Sequence, residues 1–272
     1  MKKFAGIDIG STSIKIAITD EAGELLAHRI TPTGSLFHKN TVDAFDGLLS
    51  DAGIDRNEIS VIISTGYGRK LFKEATFSLS EITANAAGAS RLGQGASAVR
   101  TIINIGGQDL KIIRLDTDGH VQNFTMNDKC AAGTGRFLEL TARNLEIEVD
   151  ELGRYHEHAS GVPVVINSTC TVFAESEIIS LLAAGHAKED LVAGIHYAIA
   201  KRVARLARRL GVEDTVLFDG GPAVNRGLVI ALEDELMREV MVPELPQLTT
   251  AYGAALLAAE YADTTEEDCC AG

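Results

Sequence analysis

Apolar positions along this chain follow two periods, and the switches between them outline its elements. Residues 6–25 read GIDIGSTSIKIAITDEAGEL: a short apolar run, a turn rich in Gly, Ser and Thr, a second apolar run and an Asp-x-x-Gly turn. This is the pattern of two strands joined by a tight turn. It returns at residues 102–121 as IINIGGQDLKIIRLDTDGHV, every residue 96 positions after its match. Ile7 matches Ile103, Gly10 matches Gly106, Lys15 matches Lys111 and Gly23 matches Gly119. A repeat at constant offset marks a duplicated supersecondary unit.

After each copy the spacing becomes helical. Residues 40–52 and 82–92 read as helices flanking a strand at 58–65. In the second half, 136–145, 171–184 and 191–210 read as helices, 215–218 as a strand leading into Asp219-Gly220-Gly221-Pro222 and a helix, and 250–261 as a last, alanine-rich helix. Strands interleaved with crossover helices predict an α/β fold. The expected organisation is two related halves, 1–98 and 99–262, the final helix free to return to the first. The tail 263–272 (DTTEEDCCAG) is expected to be disordered, with Cys269 and Cys270 as exposed thiols.

Composition narrows the class. The 272 residues are 46% hydrophobic and 23% charged, ordinary for a globular enzyme. No apolar run approaches the roughly 18 residues of a membrane span, and the N-terminus lacks the pattern of a secretory signal; a cytoplasmic protein is expected. A net charge of −13, from 25 basic and 38 acidic side chains, argues against nonspecific binding of nucleic acid or anionic membranes. The basic run 200–210 places Ile199, Val203, Ala207 and Leu210 on one helical stripe, so it reads as a solvated face. Four cysteines are too few for a disulfide framework.

The repeated turns carry the first candidate chemistry. Glycine lets backbone approach a ligand closely, hydroxyls add donors, and concave clusters of N–H groups bind anions. Gly10, Ser11, Thr12 and Ser13 would wrap phosphate oxygens, with Asp8 at the strand end holding Mg²⁺ through water. In the second copy Gly106, Gly107 and Gln108 take the same part. Gly220, Gly221, Pro222 and Asn225, between a strand and a helix, suit packing against a nucleoside. For positioning a hydrolytic water, Gln108 is favoured over Asp109 and Glu175, since an amide orients water without competing for the metal. His156 and His158, in Tyr155-His156-Glu157-His158, read as an exposed loop.

Cys130 (in NDKCAAGTGRF) and Cys170 (in NSTCTVFAE) both lie where polar residues give way to a helical pattern. A helix N-terminus favours thiolate or an anionic cluster, and Gly133 and Gly135 would admit a bulky group. Two soft ligands per chain fit an iron–sulfur cluster completed across a twofold axis; two small buried cysteines fit as well. The second hairpin runs to Met126, only a few residues before Cys130.

Together the two turns and the 220–225 segment resemble the phosphate and adenosine motifs of the actin-like ATPase superfold, with its ribonuclease H-like duplicated halves. That resemblance implies ATP or ADP with Mg²⁺ between the halves. Residues 129–139 (KCAAGTGRFLE) and 170–177 (CTVFAESE) further resemble the activators of 2-hydroxyacyl-CoA dehydratases, an ATPase family that includes the ATP-binding subunits of benzoyl-CoA reductase. The resemblance implies a homodimer sharing one [4Fe–4S] cluster through Cys130 and Cys170. It implies ATP-driven electron transfer to a dehydratase or reductase component, with a ferredoxin or flavodoxin as electron donor. The alternatives within the superfold are a small-molecule kinase or an ATP-binding regulatory protein.

Overall fold

The computed structural model describes residues 2–93, 98–127, 131–160, 162–166 and 171–270, without the side chains of 172 and 265–270. Strands β1 (Lys3–Ile9), β2 (Ser13–Thr19), β3 (Leu25–Pro32), β4 (Ile59–Thr65) and β5 (Phe77–Ser78) form one sheet in the order β3-β2-β1-β4-β5. Strands β6 (Thr101–Ile105), β7 (Leu110–Leu115), β8 (Val121–Asn127), β9 (Val216–Asp219) and β10 (Val240–Met241) form another in the order β8-β7-β6-β9-β10. The two orders are the same topology. In each sheet an antiparallel hairpin lies beside a parallel strand. The repeat holds residue by residue: Ile7 faces Ile16 and Ile103 faces Ile112; Asp8 faces Lys15 and Asn104 faces Lys111. The halves are therefore duplicates in register.

Helices α1 (Phe37–Ala52), α2 (Glu81–Leu92), α3 (Gly135–Leu145), α4 (Leu152–Glu157), α5 (Thr171–Ala183), α6 (Lys188–Leu210), α7 (Arg226–Leu236) and α8 (Thr249–Cys270) cover the sheets. The central strands are buried on both faces, which is why they are nearly continuous in Ile rather than alternating. In the first unit, Phe45, Leu48 and Leu49 of α1 pack against Ile7, Ile16 and Ile18, with Phe72. Phe4, Val61 and Ile63 meet Ala84 of α2 and Ala254, Ala258 and Ala262 of α8. A Cβ at Gly253 would lie 1.8 Å from the Ala84 carbonyl, so α2 and α8 meet backbone to backbone. In the second unit, Ile103, Ile105 and Ile112 pack with Leu138 of α3, Ile195, Ile199 and Val203 of α6 and Leu228 of α7. The expected stripe of α6 is inward: Ile199, Val203 and Ala207 are buried, while Lys201, Arg205, Arg208 and Arg209 are exposed.

One unit comprises residues 1–98, 117–121 and 247–272, the other 99–116 and 122–246. The bounds 1–98 and 99–262 are thereby corrected, while the return left open for the final helix is met: it packs in the first unit, because its small residues fit the close approach to β1 and α2. The expected disorder of the tail is corrected as well. The tail from Asp263 continues α8 to Cys270; no Gly or Pro interrupts 254–270, and Thr264 Oγ1 donates to the carbonyls of Glu260 and Tyr261. Among the described residues no helix is long and apolar enough to cross a membrane.

Candidate nucleotide site

In the first unit the turn after β1 closes when the Gly10 N–H donates to the Ser13 carbonyl at 3.0 Å. Thr33, just past β3, holds the other side: its N–H donates to the Thr12 carbonyl at 3.0 Å and its hydroxyl to the Gly10 carbonyl at 2.8 Å. Asn40 of α1 in turn donates to the Thr33 carbonyl at 2.7 Å. The turn is thus fixed from below, while Thr12 is exposed and Ser11 and Ser13 are half-buried. Asp8 is nearly buried; its Oδ2 takes a 3.1 Å ion pair from Lys15 directly across the hairpin. Its Oδ1 lies where a Cβ on Gly66 would approach to 2.3 Å, so only glycine after β4 leaves room for this carboxylate.

The second unit rebuilds the same turn with altered chemistry. Gly106 N–H donates to the Asp109 carbonyl at 2.9 Å. Asn104 stands where Asp8 stands, and donates to Asp219 at the end of β9 at 2.7 Å. Lys111 lies 3.4 Å from Asn104 and 2.8 Å from Asp109. Gln108, at the tip, is exposed.

This second turn also holds two neighbours. The first amides of α3 use its carbonyls: Gly135 N–H donates to Gly106 and Arg136 N–H to Gly107, both at 2.9 Å. These are two of the orphan donors every helix start must satisfy. Gly220 lies against the strand leading into the turn. Its φ is +95°, and a Cβ there would sit 2.1 Å from the Ile105 carbonyl. Residues 221–224 form a 3-10 turn with Pro222 buried, and Asn225 caps α7 by accepting the Leu228 N–H at 3.2 Å. Gly106, Gly107, Gly220 and Pro222 are therefore brought together, as are Asp8 and residues 10–13 in their own unit. The Asn225 side chain, expected to line a nucleotide, turns inward to α7 and His196. Cys130 and Cys170 lie outside the described residues. Among the described residues, Arg136, Leu140 and Arg143 along α3, with Thr171 and Glu175 at the start of α5, help line a cavity of about 310 Å³.

Sequence reasoning missed the roles of Lys15, Lys111, Thr33 and Asn104. The signal for the two lysines was present: a cation at the same place in an otherwise apolar strand of both copies. His156 is a correction. It lies on α4, not in a loop, and is buried beside His196, because α4 packs against α6 and α7. Burial pushes the fully enclosed His196 down to about 3, the neighbouring His156 adding to the effect, and burial lowers His156 too.

Both histidines ordinarily titrate near 6.5, so the unfolded chain binds more protons than the folded one from there down to about pH 3. Stability should fall as the pH drops through that window. His196 alone accounts for about 2 kcal/mol between neutrality and pH 5. Urea midpoints measured from pH 7 to 5 should decline, and less steeply in His196→Gln.

Two sheets of one duplicated topology, each with a glycine turn at the end of its first strand, define the fold of the actin-like ATPases. Residues 5–258 match the model of the BadF/BadG/BcrA/BcrD ATPase family, and the chain belongs to that family. It is 42% identical to the 2-hydroxyisocaproyl-CoA dehydratase activator of Clostridioides difficile, covering 97% of each chain. It is 44% identical to the activator of lactoyl-CoA dehydratase of Anaerotignum propionicum, over 94% of this chain and 97% of that one. The structure of the C. difficile activator with bound ADPNP superposes with a TM-score of 0.91 over 98% of this chain and 97% of that one.

Proposed function

We propose that this ATPase drives low-potential electron transfer to a 2-hydroxyacyl-CoA dehydratase or a related reductase component. The observation that carries the reading is the second turn, whose Gly106 and Gly107 carbonyls hold the first turn of α3, the helix that follows Cys130. In this reading a change at the phosphate-binding turn is felt at the start of α3, the helix that follows Cys130 in the sequence. The relatives named as dehydratase activators, one of them with bound ADPNP, support the same reading.

In this reading Ser11, Thr12, Ser13, Gly106 and Gly107 hold phosphate oxygens, and Gly220, Gly221 and Pro222 meet the nucleoside. Asn225 acts through the shape of that turn. Asp8 serves Mg²⁺ through water; the recess kept open over Gly66 and the oxygen donor fit a hard cation. Gln108 positions the attacking water: it is exposed at the tip, whereas Asp109 is engaged with Lys111. Cys130 and Cys170 supply thiolates for a [4Fe–4S] cluster shared by two copies of the chain, which stores the electron. A ferredoxin or flavodoxin is the donor.

Asp8→Asn tests the ATPase half of the reading. Asn104 already occupies the equivalent position opposite a lysine, so the fold accommodates the amide. Mg²⁺-dependent hydrolysis should fall roughly tenfold or more, since a carboxylate serving the metal is lost, while the melting temperature changes little. Normal hydrolysis per folded molecule would remove Asp8 from the metal site.

A further inference from the structure

Behind the 220–225 turn lies a chain of polar groups that the ATPase reading has not used. His196 of α6 is wholly enclosed and His156 of α4 nearly so. Their rings stack with centroids 5.1 Å apart, and their Nδ1 atoms are 3.0 Å apart. On its other side, His196 Nε2 is 3.0 Å from Asn225 Nδ2.

The protons in this chain have one consistent arrangement. Asn225 Oδ1 accepts the Leu228 N–H, which fixes the direction of the amide and makes Nδ2 a donor. His196 Nε2 must therefore accept and carries no hydrogen. A neutral imidazole has a single N–H, so the proton of His196 is on Nδ1 and is donated to His156 Nδ1. The packing is built around these rings. A Cβ at Gly227 of α7 would lie 2.5 Å from His156 Cβ and 2.9 Å from His196 Nδ1, and one at Gly153 of α4 would lie 3.2 Å from Asn225 Oδ1.

Asn225 joins two structures: its backbone N–H donates to the Pro222 carbonyl at 3.1 Å, closing the turn, and its side chain begins α7. An apolar residue in place of His196 would leave a buried amide hydrogen facing carbon, which is costly. The asparagine would then rotate away, and the turn would lose its anchor.

We propose that His196, oriented by His156, is a positioning residue for the nucleotide, holding Asn225 so that residues 220–224 keep the shape that receives the nucleoside. This rests on the reading of that turn as the nucleoside-binding element.

The test compares the wild type with His196→Leu and His196→Gln, using calorimetric binding of the ATP analogue ADPNP with Mg²⁺ and steady-state ATP hydrolysis. Losing one buried hydrogen bond should weaken binding about tenfold in His196→Leu, and the loss should fall on KM more than on kcat. His196→Gln, which keeps an acceptor for the Asn225 amide, should recover most of it. Unchanged affinity in His196→Leu, or equal losses in both variants, would overturn the proposal. Should His196→Leu not fold, the wild type decides by ¹⁵N spectroscopy of its histidines: the expected result is a neutral His196 protonated on Nδ1 whose resonances shift when ADPNP binds. An Nε2-protonated ring, or no shift, would overturn it. A wild type that binds no ADPNP would instead bring down the nucleotide reading itself.

Discussion

Cys130→Ser, prepared anaerobically, is expected to lose the visible absorption and the iron of the wild type, which should carry about four irons per dimer. Because a twofold axis would use each cysteine twice, one substitution removes two ligands, and Cys170→Ser should have the same effect. Cys269→Ser with Cys270→Ser should retain the iron. Retention comparable to wild type in either single variant would refute the ligand assignment; a colourless wild type would favour the kinase or regulatory reading. The bonds from Gly135 and Arg136 to the second turn add a further expectation. ATP should speed removal of the iron by a chelator more than ADP does, since a ligand shifts a conformational equilibrium only through unequal affinity for its states. Equal rates with ATP, ADP and no nucleotide would leave ATPase and cluster uncoupled.

Gly220→Ala is expected to abolish detectable ATP binding and to destabilise the protein by roughly 2–5 kcal/mol. Two effects combine there. A φ of +95° is unfavourable for any residue with a Cβ, and that Cβ would lie 2.1 Å from the carbonyl of Ile105, the residue before the second turn. The backbone must yield, and what yields is the contact between the 220–225 segment and the phosphate-binding strand. Gly185→Ala separates the effects. Its φ of +88° is similar but no atom lies within 4 Å of the added carbon, so it should lose only about 1–2 kcal/mol and bind ATP normally. Urea midpoints and calorimetry on both variants decide the matter; equal losses would mean that backbone strain, not the close approach, governs this site.

Both predictions stand on features whose legibility in the sequence differed. The hairpins were fully legible, because a constant offset fixes register as well as existence: Asp8 opposite Lys15 foretells Asn104 opposite Lys111. The long helices were legible from their periodic stripes, α6 most plainly. The strands β5 and β10, two residues each, were not, since pairing with β4 and β9 defines them rather than any local pattern. The strand β3 was hidden by its position at a sheet edge, where Leu25, Leu26 and Ile30 remain exposed. Helix α4 is too short, and too polar in Tyr155-His156-Glu157, to show a stripe. The histidine pair could not be foreseen because His156 and His196 meet only through the packing of α4 on α6. The return of α8 is likewise a matter of fit: alanines and glycines announce close packing without naming the partner.

That return sets an order of events while the chain is being made. The surface that α8 covers, formed by Phe4, Val61, Ile63 and Ala84, leaves the ribosome long before Ala254, Ala258 and Ala262, which cover it. At about 5–20 residues per second, on the order of ten seconds or more separates the two. Residues 99–246, by contrast, contain nearly everything the second unit needs. During synthesis the later-made unit can therefore complete its core first, while the earlier-made one waits with an apolar face exposed, a natural foothold for a chaperone.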